Sequence, residues 1–131
     1  MKVMALDFGS ARTGVAVSDP TGLIARPLCV VEQAASETGL AALVRLVRDE
    51  EAAQVVVGHP LTLRGTRGEQ ARATERFAEL LRERLAVPVV LFDERFTTEL
   101  AQQTASDAAE DARAAAHLLS SYLAWSSGAP A

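Results

Sequence analysis

The chain is short of the residues that most often announce a function by themselves. It has one cysteine, Cys29, so no internal disulfide can form, and its place in Leu28-Cys29-Val30-Val31 predicts a buried thiol. Its two histidines are His59 and His117, the latter on an apolar stretch near the C-terminus, and neither makes a Ser/His or Cys/His arrangement. Lysine occurs once, at Lys2; the other twelve of the 13 basic residues are arginine, which with the abundant alanine reads as GC-rich coding rather than as function. Aromatic residues are 5% of the chain, too few to read single-stranded bases by serial stacking. No apolar run approaches the ~20 residues of a membrane helix, and Asp7 interrupts the apolar run that follows Met1-Lys2, so neither a membrane span nor a signal peptide is expected.

What is present describes a globular protein. With 131 residues, 49% hydrophobic and 23% charged, the chain is expected to form one cytoplasmic domain over residues 1–131. A domain of that size buries roughly two-thirds of its unfolded surface and needs no metal or disulfide to hold its core. A net charge of −4 and a pI near 5.2 argue against attachment to nucleic acid by bulk charge, while leaving room for local phosphate contacts. The charge is unevenly placed. Arg64, Arg67, Arg72 and Arg76 face only Glu69 and Glu75 in their segment, whereas Glu99, Asp107, Glu110 and Asp111 share theirs with no basic residue.

The apolar pattern predicts an α/β fold. Val3–Leu6, Gly14–Val17, Pro27–Val31, Gln54–Gly58 and Val87–Phe92 read as strands. Leu40, Leu43, Val44 and Val47 form one helical stripe; Ala71, Phe77, Ala78, Leu81 and Leu85 form a second, on a helix from about Gly68 to Leu85. Thr97 or Thr98 would cap a short helix through Leu100 to Gln103, and Asp107 with Glu110 opens the last helix, which carries Leu118, Leu119, Tyr122 and Leu123 before a frayed tail from Ser126. Helices alternating with short apolar strands imply a five-stranded mixed sheet with helices on both faces.

Three acids stand where apolar patterning does not predict them: Asp7 and Glu94 close the first and last strands, and Asp111 lies in the first turn of the last helix. Sites in open α/β sheets lie beyond the carboxyl ends of the strands, where Asp7 and Glu94 would converge. Clustered carboxylates call for a divalent cation, and Mg²⁺ or Mn²⁺ takes such oxygen ligands. Two ions about 4 Å apart would activate a water and stabilise the leaving oxygen of a phosphodiester. Each acid also has a structural alternative: a turn before Gly9 for Asp7, an ion pair with Arg95 for Glu94, and the positive end of the helix dipole for Asp111.

Together these segments resemble a known family. Leu6-Asp7-Phe8-Gly9 with Gly14-Val15-Ala16-Val17-Ser18-Asp19, then Val57-Gly58-His59-Pro60-Leu61, Gly65-Thr66, Asp93-Glu94-Arg95-Phe96-Thr97-Thr98, Asp111-Ala112-Arg113-Ala114-Ala115 and Ser121-Tyr122 are similar, in order and over almost the whole chain, to the YqgF (RuvX) family. The resemblance implies a ribonuclease H-like fold and a pre-16S rRNA nuclease or Holliday-junction-resolvase-like activity, with 5′-phosphate and 3′-hydroxyl products. It also implies that Asp7, Glu94 and Asp111 are the metal-binding and catalytic acids. Two positions depart from the family pattern: His59 stands where an aliphatic residue is usual, and Thr62 where asparagine is usual.

Arg12, Arg64, Arg67 and Arg95 fall in loops or strand ends near the acids and are expected to hold phosphates, whereas Arg72, Arg76, Arg82 and Arg84 interleave with Glu69, Glu75, Glu79 and Glu83 as a solvated helix face. The expected partner is nucleic acid, either pre-rRNA or branched DNA, and not a membrane. A junction-cutting enzyme would need two symmetric sites, so a homodimer would suit it, although no residue specifies one. Two rivals remain. The Asp-x-Gly turn also opens actin-like nucleotide-binding domains, which need two domains to clamp a nucleotide. A non-catalytic RNA-binding or assembly factor would keep the scaffold with an idle site.

Overall fold

In the computed structural model, which describes residues 1–62, 64–96 and 108–127, the strands are β1 (Val3–Asp7), β2 (Arg12–Ser18), β3 (Ala25–Glu32), β4 (Gln54–His59) and β5 (Val89–Asp93). Among the described residues the helices are α1 (Glu37–Asp49), α2 (Glu69–Arg82) and α3 (Ala108–Ser126), and a 3-10 turn covers Glu94–Phe96. The five strands form one mixed sheet in the order β3-β2-β1-β4-β5. β1 runs antiparallel to β2, and β2 to β3, while β1, β4 and β5 are mutually parallel. The parallel strands therefore deliver their carboxyl ends, Asp7, His59 and Asp93, to one edge of the sheet.

Strand alternation divides the core in two. Met4, Leu6, Val15, Val55 and Val57 point to one face and pack with Leu40, Leu43, Phe77 and Leu81 of α1 and α2. Val3, Ala5, Ala16 and Val56 point to the other, beneath Ala115, Leu118, Leu119 and Tyr122 of α3. The fold thus has helices on both faces, as the apolar pattern predicts. Ser36 caps α1, its side chain accepting from Gly39 N at 3.0 Å. The capping position of α2 is Gly68, which offers no side-chain bond.

Several boundaries differ from the sequence reading. β2 begins at Arg12, which is therefore a strand residue paired opposite Glu32 and not a loop residue. β5 starts at Val89, although the Pro88 carbonyl already accepts from Val55 N at 2.9 Å. α2 ends at Arg82, three residues short of Leu85, and its buried stripe includes Thr74, whose hydroxyl donates to the Gln70 carbonyl at 2.9 Å. A threonine that satisfies its own hydroxyl inside the helix can be buried, and apolar periodicity does not register it. The expected helix from Thr97 or Thr98 to Gln103, the Asp107 cap and the tail beyond Ser127 lie outside the described residues.

Candidate active site

β1 and β5 flank β4, so residues ending them are two strands apart unless something spans the middle. Gly58 supplies the span. In register it follows the Leu6–Val57 pair, which puts it beside Asp7, and it pairs with Phe92 on its other side. A Cβ on Gly58 would stand 2.6 Å from Glu94 Oε1 and 3.0 Å from its Cγ, so the Glu94 side chain lies across the glycine toward Asp7. Asp7 and Gly58 share parity with Ala5 and Val56, so all of this happens on the α3 face. There α3 comes close to β2: a Cβ on Gly14 would meet the Asp111 carbonyl oxygen at 1.9 Å. That contact places Asp111 at the sheet edge.

Asp7 and Glu94 are half-buried and hydrogen-bonded to each other. Two carboxylates can make that bond only if one keeps its proton. Burial is the largest influence on Asp7 and raises its pKa; the bond to Glu94 opposes that, and the charge on Asp111 adds to it. Burial also leads for Glu94, followed by repulsion from Asp7, and together with the hydrogen bond and Asp93 they push it up to about 7. The proton therefore resides on Glu94, which donates to Asp7.

The third acid is held differently. Asp111 Oδ2 lies 2.9 Å from Arg12 Nε but out of hydrogen-bonding alignment, and it is buried with no hydrogen bond. Among the described residues, no three acids, histidines or cysteines are gathered closely enough to form a ready-made metal cage. The donor chemistry nevertheless suits a hard divalent cation: two carboxylates forced to share a proton, and beside them a buried carboxylate oxygen without a hydrogen bond. Asp7 and Glu94 would hold such an ion once Glu94 gives up its proton, and Asp111 would join them by exchanging Arg12 for it.

The other predicted contacts divide. Arg95 turns to Asp93 and not to Glu94, with Nε 2.9 Å and Nη2 2.6 Å from Oδ2, and its guanidinium packs under Gly65, where a Cβ would stand 3.2 Å from Nη1. Held by Arg95, Asp93 has its pKa lowered, so the strand end carries one firmly ionised carboxylate beside a protonated one. Arg67 is drawn to α2, where it makes a two-pronged pair with Glu75 (Nε to Oε2 2.9 Å, and Nη2 to Oε1). His59 Nε2 meets the same carboxylate at 2.6 Å, and Arg67 first, then His59, hold Glu75 down to about 2. His59 is thus a structural partner of α2. Arg64 is exposed at the tip of the loop after β4. Thr62 closes that loop by accepting from Thr66 N at 3.1 Å, the kind of local turn bond an asparagine also makes.

Two expectations follow. Glu94 holds its proton only in the folded chain, so between its ordinary 4.5 and about 7 the folded state binds a proton that the unfolded state has released. Stability is then complete below pH 4.5 and falls as pH rises through 7, by about 3 kcal/mol. Thermal unfolding in EDTA at pH 5 and pH 8 measures this fall, and Glu94→Gln should flatten it. The second concerns Gly58→Ala. The added methyl meets the end of a flexible side chain, so the fold should lose less than about 1 kcal/mol. Any metal-dependent activity should fall about a hundredfold, because Glu94 is displaced by an ångström or more.

Residues 1–125 match the RuvX family, described as Holliday junction resolvase. A relative from Chloroflexus aurantiacus named "Putative pre-16S rRNA nuclease" is 46% identical over 101 residues, covering 77% of this chain and 66% of its own length. One of the same name from Thermoanaerobacter pseudethanolicus is 34% identical over 114 residues, covering 87% of this chain and 82% of the relative. The chain thus spans just under two-thirds of the Chloroflexus protein and more of the other. Among solved structures, Thermus thermophilus RuvC in complex with a Holliday junction substrate superposes with a TM-score of 0.62, at 18% identity, over 98% of this chain and 96% of that one. At that identity the likeness concerns the fold, which is the ribonuclease H-like fold of RuvC.

Proposed function

From the chain's membership of the RuvX family, we propose that it is a nuclease that hydrolyses phosphodiester bonds of structured nucleic acid with Mg²⁺ or Mn²⁺. The observation that carries this reading is the placement of two half-buried carboxylates, Asp7 and Glu94, against each other across Gly58, on the face where α3 brings Asp111 to the sheet edge. In a purely structural role such a pair costs stability without return, and proteins keep that kind of cost at working sites.

Asp7 and Glu94 would hold the cation and Asp111 would complete its shell. The ion supplies the positive charge that brings a water and a phosphodiester together and offsets the charge that develops as they react. Glu94 must release its proton before it can bind, which makes loading less favourable below pH 7. Arg12, at the same sheet edge as Asp111, would contact a substrate phosphate, and Arg64 at the loop tip would take another. The water oxygen bonds to phosphorus and the bond to the 3′ oxygen breaks. That oxygen leaves with a proton, giving 5′-phosphate and 3′-hydroxyl ends.

The relatives' names point to the 5′ end of pre-16S rRNA, and the family's description to a four-way DNA junction. Either substrate places the work in the cytoplasm, and the junction would require a two-fold dimer. The Arg12–Asp111 ion pair favours a second reading, a binding factor whose third acid is permanently neutralised. Cleavage of labelled single-stranded RNA and of a four-way DNA junction, each with Mg²⁺, Mn²⁺ or EDTA, separates the two. Metal-dependent products are expected, and the better substrate assigns the role. Inertness on both with either metal would leave the binding factor.

A further inference from the structure

A groove of about 670 Å³ opens on the sheet face opposite the three acids, between α2 and the residues after β1. Its walls are mostly apolar. Phe8 lines it, half-buried and stacked on Phe77 with ring centroids 4.3 Å apart and planes 17° from parallel. Its rim carries Arg67, Arg72 and Arg76 against Glu75 and Glu79. Arg72 and Arg76 lie on the solvated helix face, and the acids beside them in the groove are paired with other groups. Glu75 is taken by Arg67 and His59, and Glu79 by Arg82. Arg72 and Arg76, one helical turn apart and both exposed, make no ion pair among the described residues. Two uncommitted guanidiniums beside an aromatic ring suit a chain of phosphates carrying flat apolar bases. Phe8 directly follows Asp7, so the groove and the acids lie back to back across the end of β1, one residue apart.

We infer that this groove binds a single-stranded nucleic-acid segment, with one base against Phe8 and its phosphates on Arg72 and Arg76. The inference rests on the nuclease reading for its purpose: the segment would be the flank of a strand that crosses the sheet edge with its scissile phosphate at Asp7. Duplex is excluded from the ring, since paired bases cannot reach a half-buried phenyl inside a groove of this size.

The test is anisotropy titration of the wild-type chain in EDTA with fluorescein-labelled 12-nucleotide oligo-U RNA, oligo-dT DNA and a blunt duplex, at several salt concentrations. The double variant R72A/R76A should bind the single strands at least tenfold more weakly. Its plot of log affinity against log salt should be shallower by about 1.4, since each single-strand phosphate contact contributes about 0.7. Phe8→Leu, which keeps the packing on Phe77, should weaken binding about tenfold and leave the salt slope unchanged. R48A, whose guanidinium pairs with Asp49 on α1, is the control and should bind as wild type. Unchanged affinity and slope in R72A/R76A would overturn the groove even if the wild type cleaves. Equal affinity for duplex with a neutral Phe8→Leu would overturn the single-strand assignment. A wild type that cleaves nothing yet loses binding in R72A/R76A would keep the groove and remove the nuclease.

Discussion

Asp7→Asn is expected to reduce metal-dependent cleavage about a thousandfold while leaving the metal-free protein as stable as wild type or more so. The loss follows from the proposed role of Asp7: asparagine keeps the shape but removes the charge that a divalent cation requires, and a thousandfold corresponds to roughly 4 kcal/mol of lost transition-state stabilisation. The gain follows from the metal-free geometry. Asp7 is half-buried, repelled by Asp111 and bonded to a Glu94 that burial and the neighbouring charge keep from ionising. An asparagine oxygen can accept the same bond without the charge, and its amide can donate once Glu94 ionises. At pH 8, where wild type must bury two carboxylates close together, the variant should unfold a few degrees higher in EDTA. Added Mg²⁺ should raise the unfolding temperature of wild type and not of the variant, because a ligand that binds only the folded state stabilises it by mass action. A variant that cleaves as fast as wild type would remove Asp7 from the chemistry. One that is inactive and also much less stable would show that the residue is structural.

The approach of Asp7 to Glu94, with Asp111 at the same sheet edge, was legible because it depends on chain-local signals. Asp7 and Glu94 end apolar strand runs, Asp111 enters with a helix, and strands of a mixed α/β sheet present their ends along shared edges. The sheet itself was legible for the same reason, the runs around Met4, Val15, Val56 and Leu91 being short, apolar and bounded by turn residues. What was not legible is space and partnership. Gly58 reads as the end of a valine run, and nothing local says that a carboxylate from a strand-end turn lies over it. Pair assignments fail similarly. Arg95 stands next to Glu94 in sequence yet bonds Asp93, whose side chain leaves the strand on the side the guanidinium occupies. Glu75 stands three residues after Arg72 on the helix but is pulled away by Arg67 and His59, which arrive from the loop after β4 and from the end of β4 itself. Helical spacing lists eligible pairs; the third element chooses among them.

The most damaging single methyl should be the one added by Gly14→Ala. Its Cβ would stand 1.9 Å from the carbonyl oxygen of Asp111, 2.5 Å from the carbonyl carbon and 3.2 Å from Ala112 N. All three are backbone atoms of a 19-residue helix, so no side chain can rotate out of the way. α3 must lift from β2, and with it Ala115, Leu118, Leu119 and Tyr122, which fill the space over Val3, Ala5, Ala16 and Val56. Overpacking a core costs about 1–3 kcal/mol when side chains can adjust, and a backbone clash against a packed helix belongs at or above the top of that range. A loss of about 3 kcal/mol should lower the unfolding temperature of a domain this size by roughly 10 °C, measurable by circular dichroism in EDTA. Gly68→Ser is the contrasting change: a Cβ there meets nothing within 4 Å, and the hydroxyl would supply the cap α2 lacks. It should move stability by only a few tenths of a kcal/mol, in the favourable direction. Activity adds a second readout. Lifting α3 carries Asp111 away from Asp7, so Gly14→Ala protein assayed well below its own unfolding temperature should still cleave about a hundredfold more slowly than wild type. If it unfolds early but cleaves normally while folded, the close contact of α3 with β2 serves the core alone, and Asp111 is not part of the working site.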